Sequence, residues 1–273
     1  MAVFVKAART KGEFKDLLLD NLFCITKNAA ALFDNVYREI TFSVTDDIAR
    51  CFELLIAQID DPEALSIPDA LWHAYLTLWQ AANSLLAAYQ SIRVGFPVEA
   101  VVIVRHVFEL EALALCLFLE PKSFDRFKKR RLKATGCITT AKRLFPDFGR
   151  QYGILSDIAH PTMGLLGTYL HEDESGQVIH LVGAGLPDGE PRLIRGALTR
   201  LLLNLVELQA SYLDACTEAI CLKGVTAPQY WQKTEKGVMW NPSPAVRRRW
   251  TERGERLLEA LKRDMKAGAS RAE

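Results

Sequence analysis

The stretch VEAVVIVRHVFELEALALCLFLE, residues 98–120, constrains this chain more than any other. It is long enough to span a bilayer, which needs about 20 apolar residues. Arg105, His106, Glu109 and Glu111 interrupt it, and charges at membrane depth are costly. The stretch therefore predicts a helix buried within protein, with no membrane partner. A helix that is apolar nearly all round must be enclosed by other helices, so it belongs at the centre of a bundle. Gly95 and Pro97 predict a tight turn immediately before it.

The rest of the chain supplies those neighbours. Residues 13–41 repeat apolar side chains at close to the 3.6-residue helical period. Thr45 is expected to cap a second helix, with Asp46 and Asp47 in its first turn. DDPEALSIPD reads as a connection. The next helix is expected to bury Leu71, Tyr75, Leu78, Ala82, Leu85 and Tyr89. A short link at Pro121 leads to a basic helix within 122–150. A long helix from Arg192 to Lys223 shows apolar residues at 194, 198, 201, 205, 208, 212 and 216. The expected fold is all-α: a helical bundle with one small β-hairpin and a C-terminal helical tail. Residues 1–222 form the bundle domain. Residues 223–273 form a polar linker and an amphipathic helix with Trp250, Leu257, Leu258, Leu261 and Met265 on one stripe. That helix could pack on the body, on a protein partner or on a second copy.

The hairpin is expected near 165–183, around Glu172-Asp173-Glu174-Ser175-Gly176. Its histidines, His171 and His180, raise the question of a metal, and register answers it. A type I turn with Gly176 in the left-handed bulge position puts them on opposite faces. That form is preferred, so solvated histidines are expected and no metal or cofactor. GAGLPDG lacks a following lysine and reads as a turn, not a phosphate loop. The N-terminus has no apolar signal core. The six cysteines form no CxxC pair, which predicts free thiols in a reducing cytoplasm.

Net charge is only +1, but it is unevenly distributed. Residues 1–121 carry 9 Lys/Arg against 16 Asp/Glu, residues 122–150 carry 10 against 2, and residues 151–222 carry 3 against 9. The basic segment, with FDRFKKRRLK at its start, fits two roles. It could hold RNA or a nucleotide, or be a solvated face paired with acidic neighbours. The second role is preferred.

Candidate site residues come from the polar exceptions on apolar helices. At 100° per residue, Arg105, His106 and Glu109 share one side of the central helix, and Glu111 lies away from them. In QYGILSDIAHP, residues 151–161, a helix aligns Tyr152, Ser156 and His160 and then meets a proline. A buried charge needs a partner. The expectation is therefore that Arg105, Glu109, Ser156 and His160 meet in the bundle interior.

The same residues carry a resemblance. VGFPVEAVVIVRHVFELEALALCLFLEPKSFDRF followed by YGILSDIAHPTMG resembles a group of uncharacterised bacterial helical proteins. Their recurring features would here be Arg105, Glu109, Phe124, Phe127, Ser156 and His160, within about residues 70–215. More remotely the chain is similar to the HEPN superfamily of helical ribonucleases and nucleotide-binding partners in toxin and phage-defence systems. That superfamily sets an arginine four to six residues before a histidine, whereas here Arg150 precedes His160 by ten and Arg105 adjoins His106.

Three readings stand at this point. The polar cluster could be a structural pin in a scaffold or interaction protein. It could instead be a phosphodiester-cleaving or nucleotide-binding site. Arg105 would then steady phosphate, His160 move the proton, and Ser156 and Tyr152 orient. In the third reading the protein acts in an assembly through its tail. Signatures of serine hydrolases, zinc proteases and P-loop enzymes are absent.

Overall fold

A computed structural model describes residues 11–59, 67–145, 148–159, 169–172, 175–186, 189–192, 196–221, 231–234, 237–240 and 248. Helix α1 (Lys11–Asp20) runs through a π-helical turn (Asn21–Ile25) into α2 (Thr26–Val36). Then follow α3 (Arg38–Ile59), α4 (Asp69–Arg93), α5 (Pro97–Leu119), α6 (Ser123–Lys128), α7 (Ala134–Ala141) and α8 (Phe148–Ala159). An antiparallel pair, β1 (Leu170–Glu172) and β2 (Val178–His180), precedes the long α9 (Ala197–Cys221). The expected all-α bundle with a small hairpin is the observed architecture. No described helix is long and apolar enough to cross a membrane.

Helix α5 occupies the centre. It packs most extensively on α4, and α7, α8 and α9 also lie against it. Val101, Val104, Val107, Phe108, Leu115 and Leu117 are all buried on different sides of it. Gly95 makes the turn from α4 into α5 at φ +93°, and an added Cβ there would strike Ala184. Glycine is thus required twice, for the backbone angle and for the close approach. The same 182–185 loop is held from its other side by Asn21, 2% exposed. The Asn21 amide donates to the Val182 carbonyl (3.2 Å), and its Oδ1 accepts from the Ala184 N–H (3.1 Å). Asn21 is the first residue of the π-helical turn.

Several local expectations are corrected. The break foreseen near residue 45 falls at Tyr37 (φ −115°, ψ 24°). Thr45 lies inside α3, and its hydroxyl donates to the Thr41 and Phe42 carbonyls instead of capping. Thr41 likewise bonds back to Tyr37. Threonines that satisfy themselves on the preceding turn let a helix continue through TFSVT. The basic helix is two helices with a corner between them. In its first half α9 turns inward a face other than the expected stripe, whereas the expected Tyr212 and Cys216 of its second half are buried. Leu201 is exposed, Leu205 and Leu208 are half-buried, and Leu202, Val206, Gln209 and Leu213 lie inside. A second antiparallel pair, β3 (Trp231–Thr234) and β4 (Gly237–Trp240), lies in the segment expected to be linker. Most of the expected 60–69 connection and, Arg248 apart, the C-terminal helix lie outside the described residues.

The first hairpin keeps the predicted register. His171 pairs with Ile179 and His180 with Leu170, so the two histidines face opposite sides, and Gly176 takes φ +76°. Among the described residues no group of three or more His, Cys, Asp or Glu is placed to hold a metal ion.

Candidate functional site

Helix α8 reaches α5 through aromatic rings. Phe148 is fully buried against Phe108 (centroids 4.9 Å) and Tyr212 of α9 (5.6 Å), while Leu155 is buried one face-repeat on. Gln151 donates to the Tyr212 hydroxyl at 3.1 Å. This packing sets Tyr152 over the polar side of α5. Its hydroxyl donates to Glu109 Oε1 (2.9 Å) and accepts from Arg105 Nη2 (3.2 Å). The Arg105 guanidinium also lies over the Tyr152 ring, 5.4 Å from its centroid. Arg105 Nε stands 3.6 Å from Glu109 Oε1, and His106 Nδ1 stands 3.7 Å from Glu109 Oε2.

The expected meeting of α5 and α8 is therefore present as Arg105–Tyr152–Glu109, with His106 at its edge. It is not in the bundle interior: Arg105 and Glu109 keep 28% and 29% of their side-chain surface exposed, and His106 keeps 49%. Ser156 is half-buried on the same helix, and no bond joins it to the cluster among the described residues. His160 lies outside the described residues.

A second polar layer, deeper in the bundle, was not foreseen. Arg50 of α3 forms ion pairs with Asp214 and, at 2.5 Å, with Glu218, both on α9 and each 1% exposed. Burial works against the charge on Arg50, but the two carboxylates outweigh it and hold its pKa above the ordinary value. Nearby, Glu111 of α5 is fully buried. Gln209 of α9 faces it without a hydrogen bond of good geometry to either carboxyl oxygen. Burial pushes the Glu111 carboxyl well above the usual carboxylate range, opposed only by Gln209. Helical spacing did separate Glu111 from Arg105. It gave no hint that Asp214 and Glu218 (i, i+4) both face Arg50.

The basic segment takes an unexpected form. Helix α6 ends at Lys128, and the Arg131 N–H bonds to the Arg126 carbonyl while the Arg130 N–H bonds to that of Phe127. This is a Schellman end with Arg130 in the left-handed position usually held by glycine, at φ +54°. Lys122, Arg126, Lys128, Lys129, Arg130, Arg131, Lys133, Lys142, Arg143 and Arg150 are all exposed. Among the described residues only Lys128 (to Asp125, 3.3 Å) and Arg143 (to Glu120, 2.8 Å) form ion pairs with carboxylates. Among the described residues the expected pairing with acidic neighbours is thus confined to these two.

No protein-family model matches this chain, and no curated protein and no solved structure matches it.

Proposed function

We propose that this protein is a helical interaction module that binds a polyanion, RNA foremost, at the α6–α7 corner, with the Arg105–Tyr152–Glu109 cluster serving as a structural pin. The observation that carries this reading is the ten exposed cations within 122–150, six of them (Arg126, Lys128, Lys129, Arg130, Arg131 and Lys133) at the corner, with two of the ten ion-paired among the described residues. Cations held clear of carboxylates keep their full attraction for phosphate, and each phosphate neutralised releases counterions. The corner also keeps an arginine where glycine would fit with less strain.

The polar cluster supports the pin role through its own bonding. The Tyr152 hydroxyl is engaged by both neighbours, and Glu109 already accepts a hydrogen bond from it. A general base would need that carboxylate free to meet substrate.

Fluorescence anisotropy with a labelled single-stranded RNA, titrated at several salt concentrations, tests the proposal. Binding should weaken steeply with salt. Replacing Lys129, Arg130 and Arg131 together by Gln should lower the log–log salt slope by about 2–3, roughly one for each phosphate deprived of its cation. No binding at low salt, or an unchanged slope, would overturn it. An RNA-cleavage assay run beside it separates the nuclease reading: cleavage by wild type that His160→Ala abolishes would replace the pin by an active site.

A further inference from the structure

The corner that carries the cations is anchored by aromatic rings. Phe124 and Phe127 stand three residues apart in α6, so helical pitch puts them on one side of it. Their ring centroids lie 6.1 Å apart, with 23° between the planes. His73 of α4 completes the group, 4.7 Å from the Phe124 centroid and 6.1 Å from that of Phe127. The three differ in depth. Phe124 is buried and belongs to the core, whereas Phe127 and His73 are half-buried and keep part of their surface in water. The His73 ring is fixed by the Asp69 carbonyl, 2.8 Å from Nδ1. A carbonyl only accepts, so Nδ1 carries the hydrogen, and in the neutral ring Nε2 keeps its lone pair. Among the described residues nothing bonds to that second nitrogen.

Cations border the same rings. Lys128 Nζ lies over the Phe124 ring, 4.7 Å from its centroid. Arg126, Lys129, Arg130, Arg131 and Lys133 flank Phe127 along the chain, and all are exposed. The corner thus joins two chemistries, half-open aromatic surface and positive charge.

We infer that this corner takes single-stranded RNA in preference to duplex, by seating an unpaired base against Phe127 and His73 while the neighbouring cations hold its phosphates. The inference rests on the reading of the corner as a polyanion site and names what that site selects. Every base has a π-face, so stacking on an aromatic side chain tolerates any sequence. In a duplex both faces of a base are covered by its neighbours, and only an unpaired base can use such a ring. Cations alone would draw duplex at least as strongly, because it carries more charge per unit length. His73 Nε2 adds an acceptor for a base N–H or a ribose hydroxyl. Packing on Phe124 holds both rings in place beforehand, so little side-chain freedom is lost on binding.

The test uses the full-length protein with a labelled oligouridylate, a duplex RNA of the same length, and heparin, a polyanion without bases. The oligouridylate should bind at least about tenfold more tightly than the duplex at equal salt. Phe127→Leu keeps an apolar side chain against Phe124 but removes the flat face. It should weaken oligouridylate binding by about five- to tenfold and leave duplex and heparin binding unchanged. Its log–log salt slope should match that of wild type, since no phosphate contact is lost. An oligouridylate carrying 5-iodouridine, photo-crosslinked to wild type, should attach to Phe127 or His73. That measurement stands even if the Phe127 variant fails to fold. Duplex bound as tightly as single strand, a Phe127→Leu protein that binds the oligouridylate like wild type, or crosslinks confined to other residues would each overturn the inference and leave the polyanion reading intact. Failure to bind any of these probes at low salt would overturn the polyanion reading itself, and this inference with it.

Discussion

Two polar clusters hold this bundle together, and they differ in depth and in how many helices they need. Arg105–Tyr152–Glu109 joins α5 to α8 at the rim, with nearly a third of each charged side chain in water. Arg50–Asp214–Glu218 joins α3 to α9 inside, with both carboxylates 1% exposed. At the rim, solvent replaces whatever partner is lost. At the inner layer Arg50 is 25% exposed, but the carboxylates it serves are shut off from water, so the same chemistry carries a larger penalty when broken. Glu111 represents the extreme of the second case, a carboxyl so enclosed that the proton is its cheapest counterion.

The largest expected effect follows from that contrast. Arg50→Ala takes away the cation that faces two carboxylates, each 1% exposed, and should cost about 3–5 kcal/mol in chemical denaturation. A loss under about 1 kcal/mol would mean that the interior pair is no more valuable than a surface one, and the comparison would collapse.

Next comes a change with pH. The folded-state pKa of Glu111 is raised above its ordinary 4.5. Its protonated form therefore favours folding fully below that value, and stability falls as pH rises through the raised pKa. Within that window one proton is worth about 1.4 kcal/mol per pH unit. Glu111→Gln should remove this part of the alkaline decline, seen as a flatter plot of melting temperature against pH. An unchanged slope would mean that Glu111 titrates normally.

Glu109→Ala should cost less, about 1–2 kcal/mol, because water reaches Arg105 once the carboxylate is gone. A cost as large as that of Arg50→Ala would erase the distinction between rim and interior. The smallest effect concerns the corner. Arg130→Gly relieves a left-handed residue and should stabilise the fold by about 0.5–1 kcal/mol. Destabilisation would show that the arginine side chain has a structural task there.

The legibility of the two clusters from sequence differs for a physical reason. Arg105 and Glu109 lie on one helix, and helical pitch alone puts them together. Tyr152 was found because it stands four residues from Ser156 in a segment that is otherwise apolar. The interior layer was missed although its carboxylates are also spaced i, i+4, because that spacing reads as a solvated face until something covers it. Periodicity reports a stripe, and α9 from Gln209 onward is buried all round, polar residues included.

By itself the sequence determined the helical class, the central place of residues 97–119, the turn at Gly95, the hairpin register around Gly176 and the excess of positive charge in 122–150. Each depends on contacts within a few residues, where propensity, pitch and turn chemistry suffice. Tertiary structure alone decided which charges were to be buried and which left in water. Arg50 finds its partners some 164 and 168 residues away. Burial depends on what the rest of the chain brings alongside, and no local pattern encodes that distance.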